Sequence, residues 1–196
     1  MKYLLTSVFS FFLIFTLHAQ EFSIGPKIGI SQGNISVNGE GFESGDEKFG
    51  YHLGAFVRMG GHSIFLQPEF LFSQTGGTII QTNDALDTFS YDASFNRIDI
   101  PVMFGFKILR IFRLQAGPIA SILLDYTIED ALKNAVDVDY SSSTLGYQTG
   151  IGFDIGNIIL DFKYESSLSK ISKSVVGFET DQRQNQLILS AGIRLF

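Results

Sequence analysis

The chain has 196 residues, no cysteine, a formal net charge of −6 and a composition that is 45% hydrophobic, with 20 Gly, 20 Phe and 4 Pro. That length suits one domain, and the acid surplus excludes a general nucleic-acid binder, which needs lysine and arginine gathered on one face. Without cysteine the chain has neither disulfides nor a lipid-attachment thiol, so stability must come from pairing and packing.

Lys2, the apolar run over residues 4–17 and the short Leu17-His18-Ala19 run before Gln20 have the order of a secretory signal peptide. The run spans about 21 Å as a helix, less than a hydrocarbon core of about 30 Å, so cleavage after Ala19 is expected rather than a membrane helix. The expected organisation is a signal peptide over residues 1–19 and one domain over residues 20–196.

From residue 22 onward apolar side chains recur at every second position, the period of a strand with two chemically different faces. The first segment sets Phe22, Ile24, Pro26, Ile28 and Ile30 against Ser23, Gly25, Lys27, Gly29 and Ser31. The second sets Tyr51, Leu53, Ala55 and Val57 against His52, Gly54, Phe56 and Arg58, and the third sets Ile64, Leu66, Pro68, Phe70 and Phe72 against Phe65, Gln67 and Glu69. The fourth carries Ile98, Ile100, Val102, Phe104 and Phe106 opposite Arg97, Asp99 and Lys107. In the fifth, Leu114, Ala116, Pro118, Ala120, Ile122 and Leu124 oppose Gln115, Gly117, Ile119, Ser121, Leu123 and Asp125. Leu145, Tyr147, Ile151, Phe153 and Ile155 of the sixth oppose Gly146, Gln148, Gly150, Gly152 and Asp154. The seventh opposes Leu160, Phe162 and Tyr164 to Asp161, Lys163 and Glu165, and the eighth Leu187, Leu189, Ala191 and Ile193 to Gln186, Ser190, Gly192 and Arg194.

Short turns are expected near residues 60–62, 109–111 and 156–157, and long polar connections over residues 32–48, 74–96, 127–144 and 169–185. Eight strands with all short turns at one end and all long loops at the other predict an all-β, eight-stranded antiparallel up-and-down transmembrane β-barrel. Alternation alone leaves open a soluble lipocalin-like carrier with its apolar face inward. Two features favour apolar-out. The glycine-rich mixed face suits the crowded interior of so small a barrel. That face also balances Lys27, Arg58, Arg97, Lys107, Lys163 and Arg194 against Glu69, Asp99, Asp125, Asp154, Asp161 and Glu165, as a lumen charge network requires.

Catalytic and cofactor chemistry finds little support. Beyond the signal segment only His52 and His62 remain, too few for a metal cluster or a Ser-His-Asp arrangement without help from distant strands. The glycines of residues 150–156 alternate within a strand, whereas a dinucleotide-binding glycine motif must open a helix. Acidic residues of the long connections (Glu40, Glu43, Asp46, Glu47, Asp84, Asp87, Asp92, Glu129, Asp130, Asp137 and Asp139) lack calcium-loop spacing and read as solvated loops. No catalytic, cofactor-binding or metal residue is expected.

The phrases Gln67-Pro68-Glu69-Phe70-Leu71-Phe72, Ile100-Pro101, Ala116-Gly117-Pro118 and Ala191-Gly192-Ile193-Arg194-Leu195-Phe196 resemble the PorT-like, or "porin family", outer-membrane barrels of Bacteroidota. The likeness covers the whole mature chain and implies a Gram-negative outer-membrane location. The expected function is structural or surface-interacting and non-catalytic, the alternatives being a narrow diffusion channel or the lipocalin-like carrier. Expected partners are outer-membrane lipid and lipopolysaccharide, the barrel-assembly machinery and an unidentified extracellular partner of the long loops.

Overall fold

The computed structural model describes residues 21–38, 42–82, 88–108, 111–130, 143–168, 174–175, 178–179 and 181–195. The expected signal peptide and the terminal Phe196 lie outside them. Seven long strands follow in order: β1 Glu21–Asn38, β2 Phe42–Gly60, β3 Ile64–Thr82, β4 Thr88–Ile108, β5 Phe112–Asp130, β6 Ser143–Ile155 and β7 Ile158–Ser167. Two dipeptide strands, β8 Ser174–Val175 and β9 Phe178–Glu179, pair with each other, and β10 Asp181–Ile193 ends the series. Each long strand pairs antiparallel with its neighbour in sequence, and β10 pairs with both β7 and β1, so the sheet closes on itself with eight strands. Closure pairs the strands of the barrel section with a neighbour on each side, as a membrane-spanning sheet requires.

The two faces separate by burial. Apolar positions point outward: Phe104 is 57% exposed, Leu53 58% and Leu145 61%. Mixed-face positions point inward, and Lys27, Gln67, Met103 and Asp161 are buried. Such a surface is stable only in an apolar solvent, so the lipocalin-like orientation is overturned.

Small residues make the narrow interior workable. A Cβ on Gly105 would lie 2.1 Å from the Phe65 ring, and one on Gly152 would lie 2.6 Å from the Arg113 guanidinium carbon. Gly156, at φ +60°, makes the tight turn with Asn157 between β6 and β7, where a left-handed residue matches the twist of the flanking strands.

At the other end the strands outrun the expectation. Residues 32–38, 42–48, 74–82, 88–96 and 127–130, expected in long connections, lie in paired strands. The period-2 contrast of the sequence fades there while backbone pairing continues. Strand β2 absorbs two register shifts there, between Ser44 and Glu47 and between Glu47 and Tyr51.

Candidate functional site

Among the described residues polar chemistry converges in the lumen, and parity builds it: alternate residues of the barrel section point inward. Its buried charged side chains among the described residues are Lys27, Arg58, Arg97, Arg113 and Lys163 against Glu69, Asp99, Asp154, Asp161 and Glu165, a balanced set.

These groups form a ladder along the barrel. At the short-turn end Arg58 Nη1 lies 3.0 Å from Asp154 Oδ2, and Arg113 Nε lies 2.9 Å from Asp154 Oδ1. Both guanidinium groups also pack near the Phe65 ring, 5.0 and 5.6 Å from its centroid, a cation–π arrangement that compensates part of their desolvation. Arg113 Nη2 and Gln115 Nε2 donate to Asp161 Oδ1 at 2.9 and 2.7 Å, and Lys27 Nζ donates to Asp161 Oδ2 at 2.7 Å. Lys27 also donates to Glu69 Oε1 at 2.7 Å, where Lys163 Nζ arrives at 2.9 Å and Gln67 Nε2 at 2.6 Å.

Toward the long-connection end, Lys163 Nζ donates to Gln148 Oε1 at 3.2 Å, and Gln148 Nε2 donates to Glu165 Oε2 at 2.7 Å. Glu165 Oε1 accepts from Arg97 Nη2 at 2.7 Å and Gln186 Nε2 at 2.9 Å, while Arg97 Nε donates to Asp99 Oδ2 at 3.0 Å. Thr75 Oγ1 donates to Gln186 Oε1 at 3.2 Å. All eight barrel strands contribute a rung, so the ladder ties opposite walls together as well as filling the space. Beside it, a cavity of about 10 Å³ touches His52, Glu69, Asp99 and Lys163, room for roughly one water molecule.

The sequence-expected network is thus partly regrouped. Glu69 sits with Lys27 and Lys163, and Arg97 takes Asp99 and Glu165. Asp125 is exposed: Leu124 is an extra residue between the Asn96–Asp125 and Arg97–Leu123 pairs, and this bulge reverses the parity of β5. Arg194 follows the end of β10, its guanidinium on the Gly156 carbonyl at the turn. Lys107 is half-buried near the same end, opposite Arg113 in the β4–β5 register. Arg113, one residue ahead of the fifth segment's expected start at Leu114, is fully buried and carries two ion pairs; its inward parity is readable from Gln115, two residues on.

His52 is buried, with Nε2 3.1 Å from Ser190 Oγ, while His62 lies exposed in the β2–β3 turn. Residues 150–155 run through β6 and Gly156 turns into β7, so no helix follows the glycines. Among the described residues no group of three or more His, Asp or Glu side chains could hold a metal ion.

Comparison with known proteins agrees with this architecture. No curated protein matches the chain. Among solved structures, Ail, the attachment invasion locus protein of Yersinia pestis, crystallised with the heparin analogue sucrose octasulfate, superposes with a TM-score of 0.53 at 18% identity, covering 89% of this chain and 99% of its own. Neisserial surface protein A superposes with a TM-score of 0.54 at 11% identity, covering 91% of this chain and 100% of its own. At such identities the likeness is one of fold. The family model described as "Outer membrane protein beta-barrel domain" matches residues 18–173, and the chain belongs to that outer-membrane β-barrel family.

Proposed function

We propose that this barrel is a non-catalytic surface-interaction protein, exported by its N-terminal signal and of the PorT-like kind, in which the transmembrane part is an anchor and the long-connection end meets partners outside the cell. The observation that carries this reading is the continuous ladder from Arg58 and Arg113 to Arg97 and Gln186, which fills the lumen and speaks against the alternative of a narrow diffusion channel. What remains chemically variable is the paired extension of β2 to β5 beyond it. A name such as attachment invasion locus protein, given to one structural neighbour, fits a barrel used this way. The ligand class cannot be carried over: the extension holds Glu43, Asp46, Glu47, Asp92, Asp125, Glu129 and Asp130 against Lys48, so a polyanion such as a heparin analogue meets like charge and a cationic partner is favoured.

The test shortens the β3–β4 extension, replacing residues 76–94 by a two-residue turn, and compares cells displaying each form for adhesion to polylysine-coated and heparin-coated surfaces. The reading expects polylysine adhesion that falls with the extension while the barrel still assembles. Equal adhesion by both forms overturns it.

A further inference from the structure

We propose that the lumen binds a water molecule between the Glu69 and Arg97 rungs of the ladder, donating to Glu69 Oε2 and Asp99 Oδ1 and accepting from Lys163 Nζ. The site belongs to the barrel interior, so it stands apart from the surface-interaction reading and is tested separately.

The first observation is the cavity beside the ladder. Its free space of about 10 Å³ lies among His52 of β2, Glu69 and Ser73 of β3, Asp99 of β4, Gln148 of β6 and Lys163 of β7, all of them buried. That volume matches a single water sphere and excludes a larger ligand. Polar side chains make most of the lining, and enclosed space of this size stays dry only where its walls are apolar.

The second observation is an imbalance of donors and acceptors at that space. Glu69 Oε1 accepts from Lys27, Lys163 and Gln67 at 2.7, 2.9 and 2.6 Å, whereas Oε2 of the same buried carboxylate accepts from no protein group. Asp99 Oδ1 is in the same position: Arg97 Nε lies 2.9 Å from it but directs its proton to Oδ2 at 3.0 Å. A buried carboxylate oxygen without a donor is costly, so both require one. Lys163 has the opposite surplus. Its ammonium carries three N–H groups, of which two go to Glu69 Oε1 at 2.9 Å and Gln148 Oε1 at 3.2 Å, leaving one to donate. Two acceptors and one donor around one small space are the complement of a water molecule, which makes about three hydrogen bonds when buried.

Charge then excludes a cation. Glu69 already faces Lys27 and Lys163, and Asp99 faces Arg97, so a bound metal ion would leave an uncompensated positive charge in a closed interior. Nor can such an ion accept from the Lys163 ammonium. A neutral occupant satisfies both conditions. It also adds a second tie between the two rungs, which are otherwise joined through Lys163, Gln148 and Glu165.

The experiment uses the refolded mature chain. Crystals that diffract well enough to show ordered solvent should carry one solvent peak within hydrogen-bond distance of Glu69, Asp99 and Lys163. Magnetic relaxation dispersion of water in micelle samples counts long-lived internal molecules independently: Ser73→Val, which puts a methyl group into the cavity, should lose one of them, and Ser73→Ala, which widens it, should lose none. Folded mobility in unheated gels shows that each variant is intact; where Ser73→Val does not fold, the wild-type density and the Ser73→Ala count decide alone. Equal urea midpoints in sodium, potassium and choline chloride at one ionic strength are expected of a neutral occupant. A midpoint that rises with sodium or potassium alone, or anomalous density after rubidium replaces potassium, identifies a monovalent cation and overturns the proposal. A wild-type cavity without solvent density overturns it as well, and so does a folded Ser73→Val barrel with the wild-type count.

Discussion

Asp161→Leu is the sharpest perturbation of the ladder. The carboxylate is fully buried and accepts from Lys27 at 2.7 Å, Arg113 at 2.9 Å and Gln115 at 2.7 Å. Removing it leaves Lys27 with Glu69 and Arg113 with Asp154, so the balanced interior acquires one uncompensated positive charge. Breaking one side of a buried pair costs about 3–5 kcal/mol, most of it the desolvation of the orphaned partner. Removing Lys27 as well, as Lys27→Met with Asp161→Leu, restores neutrality and fills part of the space, and neutral replacement of a buried pair costs much less. The double variant should therefore be more stable than Asp161→Leu alone, with a coupling of about 1–3 kcal/mol. Urea unfolding in lipid vesicles, followed by far-ultraviolet circular dichroism and by the fraction migrating as folded barrel, measures both quantities. An Asp161→Leu variant within about 1 kcal/mol of wild type, or single losses that simply add, would refute a dry, interdependent lumen.

Three further outcomes follow from the same geometry. Phe104→Arg puts a charge on an outward side chain in the barrel section of β4 and should cost about 2–4 kcal/mol if it lies near the midplane; vesicle folding yields equal to wild type would contradict the outward apolar face. Gly152→Val would thrust a side chain against Arg113 and Asp161, each 2.6 Å from its Cβ, and should destabilise by about 1–3 kcal/mol, whereas the same change at Gly61, with nothing within 4 Å, should leave urea midpoints unmoved. An epitope inserted between Thr82 and Thr88 should bind antibody on intact cells, since the long connections of single-chain barrels face outward; binding only after the outer membrane is broken reverses the orientation.

The barrel was legible because lipid and lumen impose opposite chemistry on alternate residues. Lys27, Arg58, Glu69, Asp161 and Lys163 could be placed inside by parity alone. Their partners could not, since closure brings Lys163 of β7 to Glu69 of β3, a contact across the lumen that no pairwise strand register encodes. Asp125 shows the other limit. One bulged residue, Leu124, leaves Asp125 exposed where the alternation of its strand would turn it inward, and nothing in the local alternation marks the insertion. Beyond the membrane the same loss of contrast concealed the extensions of β2 to β5, which are held by backbone pairing that any polar residue can join.

Planar-bilayer recording of the purified wild-type chain tests the central claim most directly, because the proposal requires that a lumen bridged from Arg58 and Arg113 to Arg97 and Gln186 leave no continuous aqueous path. The account predicts inserted protein, verified by its folded mobility, with no discrete conductance steps in molar potassium chloride. Reproducible single-channel steps from that protein would contradict the filled lumen and return the barrel to the class of diffusion channels.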